Sequence, residues 1–265
     1  MKKRLLTRRP DPTMGAAPEE YPRLLGADVD LPEVEYDPAR ALRQWESYVE
    51  VFAKAGWDIV ELPGTPSVVT SCFVEDSAVT YRTVALMTRG AVRHNETDSA
   101  IVREQLEALG YAIANPPPKA YIGGGDVQYL MGTVHVGRGQ ETNAQGVAAV
   151  RRLFTALDLR VVAVPLRGAP YLRKAATLLP DGATIGNPDL LLDTRVFDRF
   201  LPAPEPAGAS VVALSPDEVV VSASASGTAA LLQNLGFKVT AVDISEFEKL
   251  DGCITSLSMR LRDRV

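Results

Sequence analysis

Residues 126–164 read DVQYLMGTVHVGRGQETNAQGVAAVRRLFTALDLRVVAV. Two short runs inside this stretch, Asp126–Met131 and Val134–Val136, are rich in β-branched and aromatic side chains and predict strands. Asn143 offers a side-chain cap for a helix that carries Val147, Val150, Phe154 and Leu157 on one face. Arg160–Val164 predicts a returning strand. Hairpin, helix and strand thus follow one another within one short segment.

The same grammar recurs on both sides. Asp37-Pro38 starts a helix with a capping carboxylate and a proline at the first helical position, and Leu42, Trp45, Val49 and Phe52 follow at helical spacing before Gly56. Strands are predicted over Trp57–Leu62, Phe73–Tyr81 and Thr83–Met87. Thr97 or Asp98 caps a helix with Val102, Leu106 and Leu109, closed by Gly110, and Tyr111–Ala114 is the next strand. Ala176–Leu179 and Thr184–Ile185 flank the Asp181-Gly182 turn, while Val211–Leu214 and Glu218–Ser222 flank Ser215-Pro216-Asp217. A helix over Thr228–Leu235 ends at Gly236, Phe237–Val242 is a strand, and Ile254–Leu261 closes the chain. The unit returns about every 45–50 residues, an architectural signal in itself. We therefore expect one α/β domain over residues 36–265, preceded by a flexible polar segment over 1–35. Pro202 to Pro206 reads as a loop between repeats, not a linker between domains.

Composition narrows the function classes. The chain has 265 residues, 46% of them hydrophobic, and a net charge of -5, which excludes a basic nucleic-acid footprint. The basic run from Lys2 to Arg9 reads as a solvated end. Leu5-Leu6 is too short for a secretory core, and no stretch reaches the roughly 18 apolar residues of a spanning helix. Cys72 and Cys253 make no disulfide framework. The expectation is a soluble cytoplasmic protein with no nucleic-acid or membrane partner and no cofactor.

Four motifs carry a family resemblance. Phe73-Val74-Glu75-Asp76, Gly124-Gly125-Asp126-Val127, Val136-Gly137 with Thr142-Asn143 and Gly146, and Ile244 to Gly252 occur in the order and spacing that resemble dimethylarginine dimethylaminohydrolase. The resemblance spans the Asp37 helix to Leu261. It implies a pentein, a five-bladed α/β-propeller of ββαβ-type repeats, which agrees with the repeat read above. It also implies hydrolysis of methylated arginines to citrulline and a methylamine. In that reaction a cysteine thiolate attacks the guanidinium carbon, a histidine moves protons and acidic residues hold the cation.

Several positions depart from the family pattern. Ser256 stands where the resemblance places the cysteine, Tyr171 where it places the histidine, and Gly123 and Thr70 where it places acids. Glu141 stands at the arginine that binds the substrate carboxylate, while Asp76 and Arg93 match. A serine needs an adjacent base to attack, and a phenol of pKa near 10 is a poor base at neutral pH. The resulting expectation is a chain that has lost methylarginine hydrolysis. It would keep a pocket of Thr70, Asp76, Arg93, Gly123, Glu141, Tyr171 and Ser256 for a small amino-acid-like or anionic ligand, or serve as a regulatory or partner subunit. A homodimer or a hetero-oligomer with an active homologue fits that role. The alternative is a rebuilt enzyme acting on an arginine- or ornithine-derived metabolite.

Cys253 would be its relocated nucleophile if the strand bulges; in a regularly alternating strand it faces away from Ser256. Cys72 reads as core packing. His135 lies in an apolar strand and reads as packed, and His94 sits in a polar loop beside Arg93. Neither histidine has metal-ligand spacing. Gly123-Gly124-Gly125 leads into a strand, not a helix, which excludes a phosphate loop. Tyr171, Arg173 and Lys174 form a basic cluster able to attract an anion at a propeller mouth.

Overall fold

The unit read over residues 126–164 is present as strands β6 (Val127–Leu130) and β7 (Thr133–Arg138), helix α3 (Ala144–Thr155) and strand β8 (Arg160–Pro165) in the computed structural model. The structure describes residues 3–14, 35–65, 70–91 and 95–262. β6 and β7 pair antiparallel with Leu130 opposite Thr133, so Met131 and Gly132 form a two-residue turn, both with positive φ (47° and 80°). Such a turn matches the twist of the strands that it joins. Asn143 Oδ1 accepts from the Gly146 N–H at 2.8 Å and caps α3. The helix then buries Val147, Val150 and Phe154 and returns the chain to β8, parallel to β7. Gly146 is obligatory here, since a Cβ would lie 1.9 Å from the Tyr121 carbonyl oxygen.

Four further three-stranded sheets repeat the plan, each with an antiparallel first pair and a parallel third strand. One holds β3 (Ala78–Tyr81), β4 (Val84–Met87) and β5 (Ala112–Ala114), with α2 (Glu96–Ala108) as its crossover. The next holds β9 (Ala176–Leu178), β10 (Thr184–Gly186) and β11 (Phe200–Pro202), preceded by the single turn α4 (Leu172–Ala175) and connected by 3-10 turns. A third holds β12 (Val212–Ala213), β13 (Glu218–Ser222) and β14 (Lys238–Val242), with α5 (Ser226–Asn234) between the last two. The ring closes through β15 (Ser258–Arg262), which pairs antiparallel with β1 (Lys3–Thr7), and β1 runs parallel to β2 (Asp58–Glu61) across α1 (Pro38–Lys54). This is the five-bladed α/β-propeller of a single domain.

The closing blade corrects the expectation of a flexible polar segment over residues 1–35. Residues 3–14 belong to the propeller: Leu5, Leu6, Thr7 and Arg8 are buried. Apolar Leu5 and Leu6 reach two cores on opposite faces of the strand. Arg8 is not a solvated charge. Its Nε donates to the Pro63 carbonyl at 2.8 Å, and its Nη1 donates to the Ser71 carbonyl at 2.6 Å and to Asp98 at 3.0 Å. Burial holds the Arg8 guanidinium below its ordinary pKa and raises the Asp98 carboxyl.

Other boundaries also move. Asn95, not Thr97 or Asp98, caps α2, with Oδ1 accepting from both of those N–H groups. The first half of Phe73–Tyr81 is a 3-10 turn over Val74–Ser77. The final strand begins only at Ser258, leaving residues 254–257 as turn.

β3, β6, β9, β12 and β15 all line one cavity on the propeller axis. Residues just before these inner strands meet at one end of the axis, and the hairpin turns that follow most of them rim the other.

Candidate active site

α6 (Ser245–Glu248) delivers the chain into a tight turn ahead of β15. The Leu250, Asp251 and Gly252 N–H groups donate to carbonyls of Phe247 and Glu248, and Asp251 takes a positive φ of 58°. A Cβ on Gly252 would lie 2.5 Å from the Phe73 ring and 2.9 Å from the Phe247 oxygen, so only glycine passes. The Ser256 N–H then donates to the Cys253 carbonyl at 3.0 Å.

This turn settles where Cys253 points. Its Sγ lies 3.2 Å from Ser256 Oγ, 3.2 Å from Thr255 Oγ1 and 3.6 Å from the Tyr171 hydroxyl. The expectation that Cys253 faces away from Ser256 fails because the segment is a turn and not an alternating strand. The Cys253 N–H also donates to Ser256 Oγ at 3.3 Å. Tyr171 Oη reaches Ser256 Oγ and the Asp251 carbonyl, both at 3.4 Å. Cys253, Tyr171 and Ser256 are therefore one cluster of nucleophilic and proton-bearing groups.

Tyr171 is held by the neighbouring blade. Its ring rests on Gly125, where a Cβ would lie 2.7 Å from Cδ2. The next residue, Leu172, donates its N–H to Asp126 Oδ1 at 2.7 Å, and Thr142 Oγ1 donates to Asp126 Oδ2 at 2.5 Å. Thr142 Oγ1 accepts the Gly123 N–H at 3.0 Å. Burial pushes the Asp126 carboxyl up to about 7; the Thr142 and Leu172 bonds oppose that rise and the Glu141 charge adds to it. Asp126 and Thr142, both inside the sequence motifs but given no role there, thus fasten the approaches to β6 and β9.

The acidic side of the site is rearranged as well. A Cβ at Gly123 would lie 2.7 Å from Glu141 Cβ, so the buried Glu141 side chain occupies the space beside Gly123. A carboxylate-bearing residue therefore stands next to the position where the family pattern expects an acid. The expectation that Glu141 replaces an arginine without compensation overlooked this adjacency. Gly124 packs on Glu75 and Asp76, with a Cβ position 2.1 Å from the Glu75 oxygen and 2.8 Å from Asp76 Cα. Asp76 is fixed through its backbone, its N–H donating to Phe73 and its carbonyl accepting from Thr88 Oγ1. Thr70 lies in the turn before Phe73, whose N–H its carbonyl accepts. Arg93 and His94 fall outside the described residues.

The remaining candidates separate from this cluster. Cys72 is buried with Sγ 3.6 Å from Met14 Sδ, and burial drives its thiol pKa far up. His135 packs on Phe197 with centroids 5.2 Å apart, and desolvation lowers its pKa. Lys174 Nζ pairs with Asp251 Oδ1 at 2.7 Å and Arg173 with Glu75 at 3.0 Å, so the basic cluster is tied to carboxylates. Arg260 also pairs with Glu75. The signal for it in the sequence is an arginine between the apolar Met259 and Leu261 in the closing strand. Among the described residues no group of three or more His, Cys, Asp or Glu side chains is arranged to hold a metal. No described helix is long and apolar enough to cross a membrane.

Solved structures share this architecture. A dimethylarginine dimethylaminohydrolase adduct with S-methyl-L-thiocitrulline superposes with a TM-score of 0.84 at 22% identity, covering 98% of this chain and 100% of that one. The N-terminal domain of the cyanobacterial arginine dihydrolase ArgZ gives 0.84 at 16% identity, covering 99% of both chains. Those likenesses define the fold class: the chain has the pentein fold. No protein-family model matches the chain. Its sequence is 40% identical over 261 residues, 98% of both chains, to the N(G),N(G)-dimethylarginine dimethylaminohydrolase of Streptomyces coelicolor. It is 23% identical to that of Pseudomonas aeruginosa over 84% of this chain and 89% of the other. The chain belongs to the dimethylarginine dimethylaminohydrolase family, a class of hydrolases acting on amidine C–N bonds.

Full-length identity at this level to a named hydrolase supports retained dimethylarginine hydrolysis and overturns the expectation that it has been lost. That expectation compared the site position by position. The alternative reading, with Cys253 as a relocated nucleophile, is the one the geometry favours: Cys253 Sγ lies 3.2 Å from Ser256 Oγ, and Glu141 packs beside Gly123.

Proposed function

We propose that the protein hydrolyses N(G),N(G)-dimethylarginine to citrulline and dimethylamine with Cys253 as nucleophile. The observation that carries this reading is the Cys253 thiol lying 3.2 Å from Ser256 Oγ and 3.6 Å from the Tyr171 hydroxyl. The guanidinium of the substrate is held by Asp76 and Glu141.

Cys253 Sγ adds to the guanidinium carbon, and the C–N bond to the dimethylamino group breaks as that nitrogen takes a proton. Tyr171 donates this proton. A phenol of pKa near 10 is a poor base at neutral pH but a suitable acid for a leaving amine of comparable basicity. Water then adds to the same carbon and returns a proton to the Tyr171 oxygen. The S–C bond breaks as the added hydroxyl releases its remaining proton to solvent, where the departed dimethylamine takes it up, leaving the ureido group of citrulline and restoring the thiolate. Ser256 Oγ and Thr255 Oγ1 hydrogen-bond the sulfur through the cycle.

The test is incubation of the pure protein with dimethylarginine, following citrulline and dimethylamine together. Equimolar release supports the reading. Intact substrate after prolonged incubation overturns it.

A further inference from the structure

The inner strands enclose a second space at the opposite end of the axis from Cys253. This cavity of about 400 Å³ is lined by all five first strands and rimmed by hairpin residues such as Arg82, Met131 and Ser215. Its volume falls in the range of small-molecule sites.

Its floor separates it from the candidate active site and is electrically unbalanced. Glu75 Oε1 meets both Arg173 and Arg260, so one carboxylate faces two guanidiniums. Glu75 is 4% exposed, and its buried Oε2 has no hydrogen-bond partner among the described residues. Arg260 spends its Nη1 on the Thr255 and Ser258 carbonyls. Arg173 donates Nη2 to the Val127 carbonyl, but its buried Nε has no hydrogen-bond partner among the described residues. Desolvation lowers the Arg173 pKa despite the nearby Glu75 charge. Toward the rim the lining adds the exposed Arg82, and Arg262, whose Nη2 donates to the Ala213 carbonyl and whose guanidinium lies over the Trp57 ring, so the imbalance lies at the floor, where Arg173 and Arg260 share Glu75. An uncompensated buried cation is costly, and a charge-assisted bond to an anion removes the imbalance. The walls between floor and rim are largely apolar, with Val79, Val127, Leu178 and Val211 among them.

We propose that this cavity is a binding site for a small organic anion, its carboxylate or phosphate end seated on Arg173 and its apolar body between the inner strands. The site is distinct from the cluster around Cys253 and does not depend on turnover there.

Thermal shift and calorimetric titrations with phenyl phosphate, benzoate and uncharged benzamide test it at constant ionic strength. The expected result is a saturable rise in Tm with at least one anion and none with benzamide; which anion binds tighter identifies the head group. Arg173→Gln should weaken that binding by ~10-fold or more, the worth of one charge-assisted hydrogen bond. If Arg173→Gln does not fold, Arg262→Gln at the rim serves in its place, with the same direction and a smaller loss. Absence of a saturable response to both anions, an equal response to benzamide, or undiminished affinity in the folded variant overturns the proposal.

Discussion

Replacing Cys253 by alanine separates the two candidate nucleophile positions. The two side-chain heads are 3.2 Å apart, so either could be presented to one substrate carbon, and kinetics must decide. If Cys253 attacks, Cys253→Ala removes the bond-forming atom, and kcat should fall by about 10⁴-fold or more, the scale of nucleophile deletions in acyl-transfer enzymes. Ser256→Ala instead deletes one hydroxyl that accepts the Cys253 N–H at 3.3 Å and touches its sulfur. A neutral hydrogen bond is worth about 0.5–1.5 kcal/mol, which converts to roughly 2- to 13-fold in rate. The assay is citrulline release under saturating dimethylarginine, with melting temperatures to confirm that both variants fold. Iodoacetamide supplies an independent readout, because substrate should protect Cys253 while buried Cys72 stays unmodified in either case. If Ser256→Ala abolishes turnover and Cys253→Ala preserves it, the assignment of Cys253 is wrong.

Arg8→Met leaves Asp98 and two carbonyls buried without their cation and should cost about 3–5 kcal/mol, read as a lower midpoint in urea unfolding. Asp126 has a folded pKa of about 7, raised from an ordinary 3.8, so between those values the native state holds a proton that the unfolded chain has released. Stability from this carboxyl is complete below the lower value and is lost as pH rises through the upper one, by at most about 4 kcal/mol. Urea unfolding from pH 4 to 8 should show a steeper decline for the wild type than for Asp126→Asn. Gly252→Ala drives a methyl group into the Phe73 ring and should cost about 1–3 kcal/mol. It should also lower kcat by displacing the Cys253–Ser256 turn; unchanged kcat with lowered Tm would show that the turn tolerates the shift.

The interplay of termini and site explains why the first residues matter. β1 sits between β15 and β2, so the strand that follows Ser256 is fixed by residues 3–7. Trp45 Nε1 donates to Thr7 Oγ1 at 2.9 Å, and Thr7 Oγ1 donates to the Leu257 carbonyl at 2.9 Å. A polar relay therefore runs from α1 through β1 to the residue beside Ser256. Loss of β1 would leave an unpaired edge on β15 and free the turn that carries Cys253.

The repeat of hairpin, helix and strand was legible in the sequence because its determinants are local: an asparagine or aspartate cap, a β-branched run, a glycine at a turn. The glycines of residues 123–125 do not serve a local turn: none has positive φ, and each makes room for a residue from elsewhere in the chain, Glu141, Asp76 and Tyr171. Residues 3–8 were misread because strand pairing with residues 258–262 is a contact across the whole chain, and a basic run looks solvated until its partners are known. The site shows the same division. Family motifs placed Asp76, Gly123, Glu141, Tyr171 and Ser256 near one another and left Cys253 as an alternative nucleophile, since a linear comparison shows which side chains differ but not which way they face. That Cys253 turns toward Ser256, and that Glu141 fills the space beside Gly123, are facts of three dimensions. A turn reverses the facing that an alternating strand would impose, and a missing Cβ admits a neighbour from another loop. The sequence alone determined the blades and their order; the tertiary structure decided which side chains share a pocket, because that depends on how separate blades close around one axis.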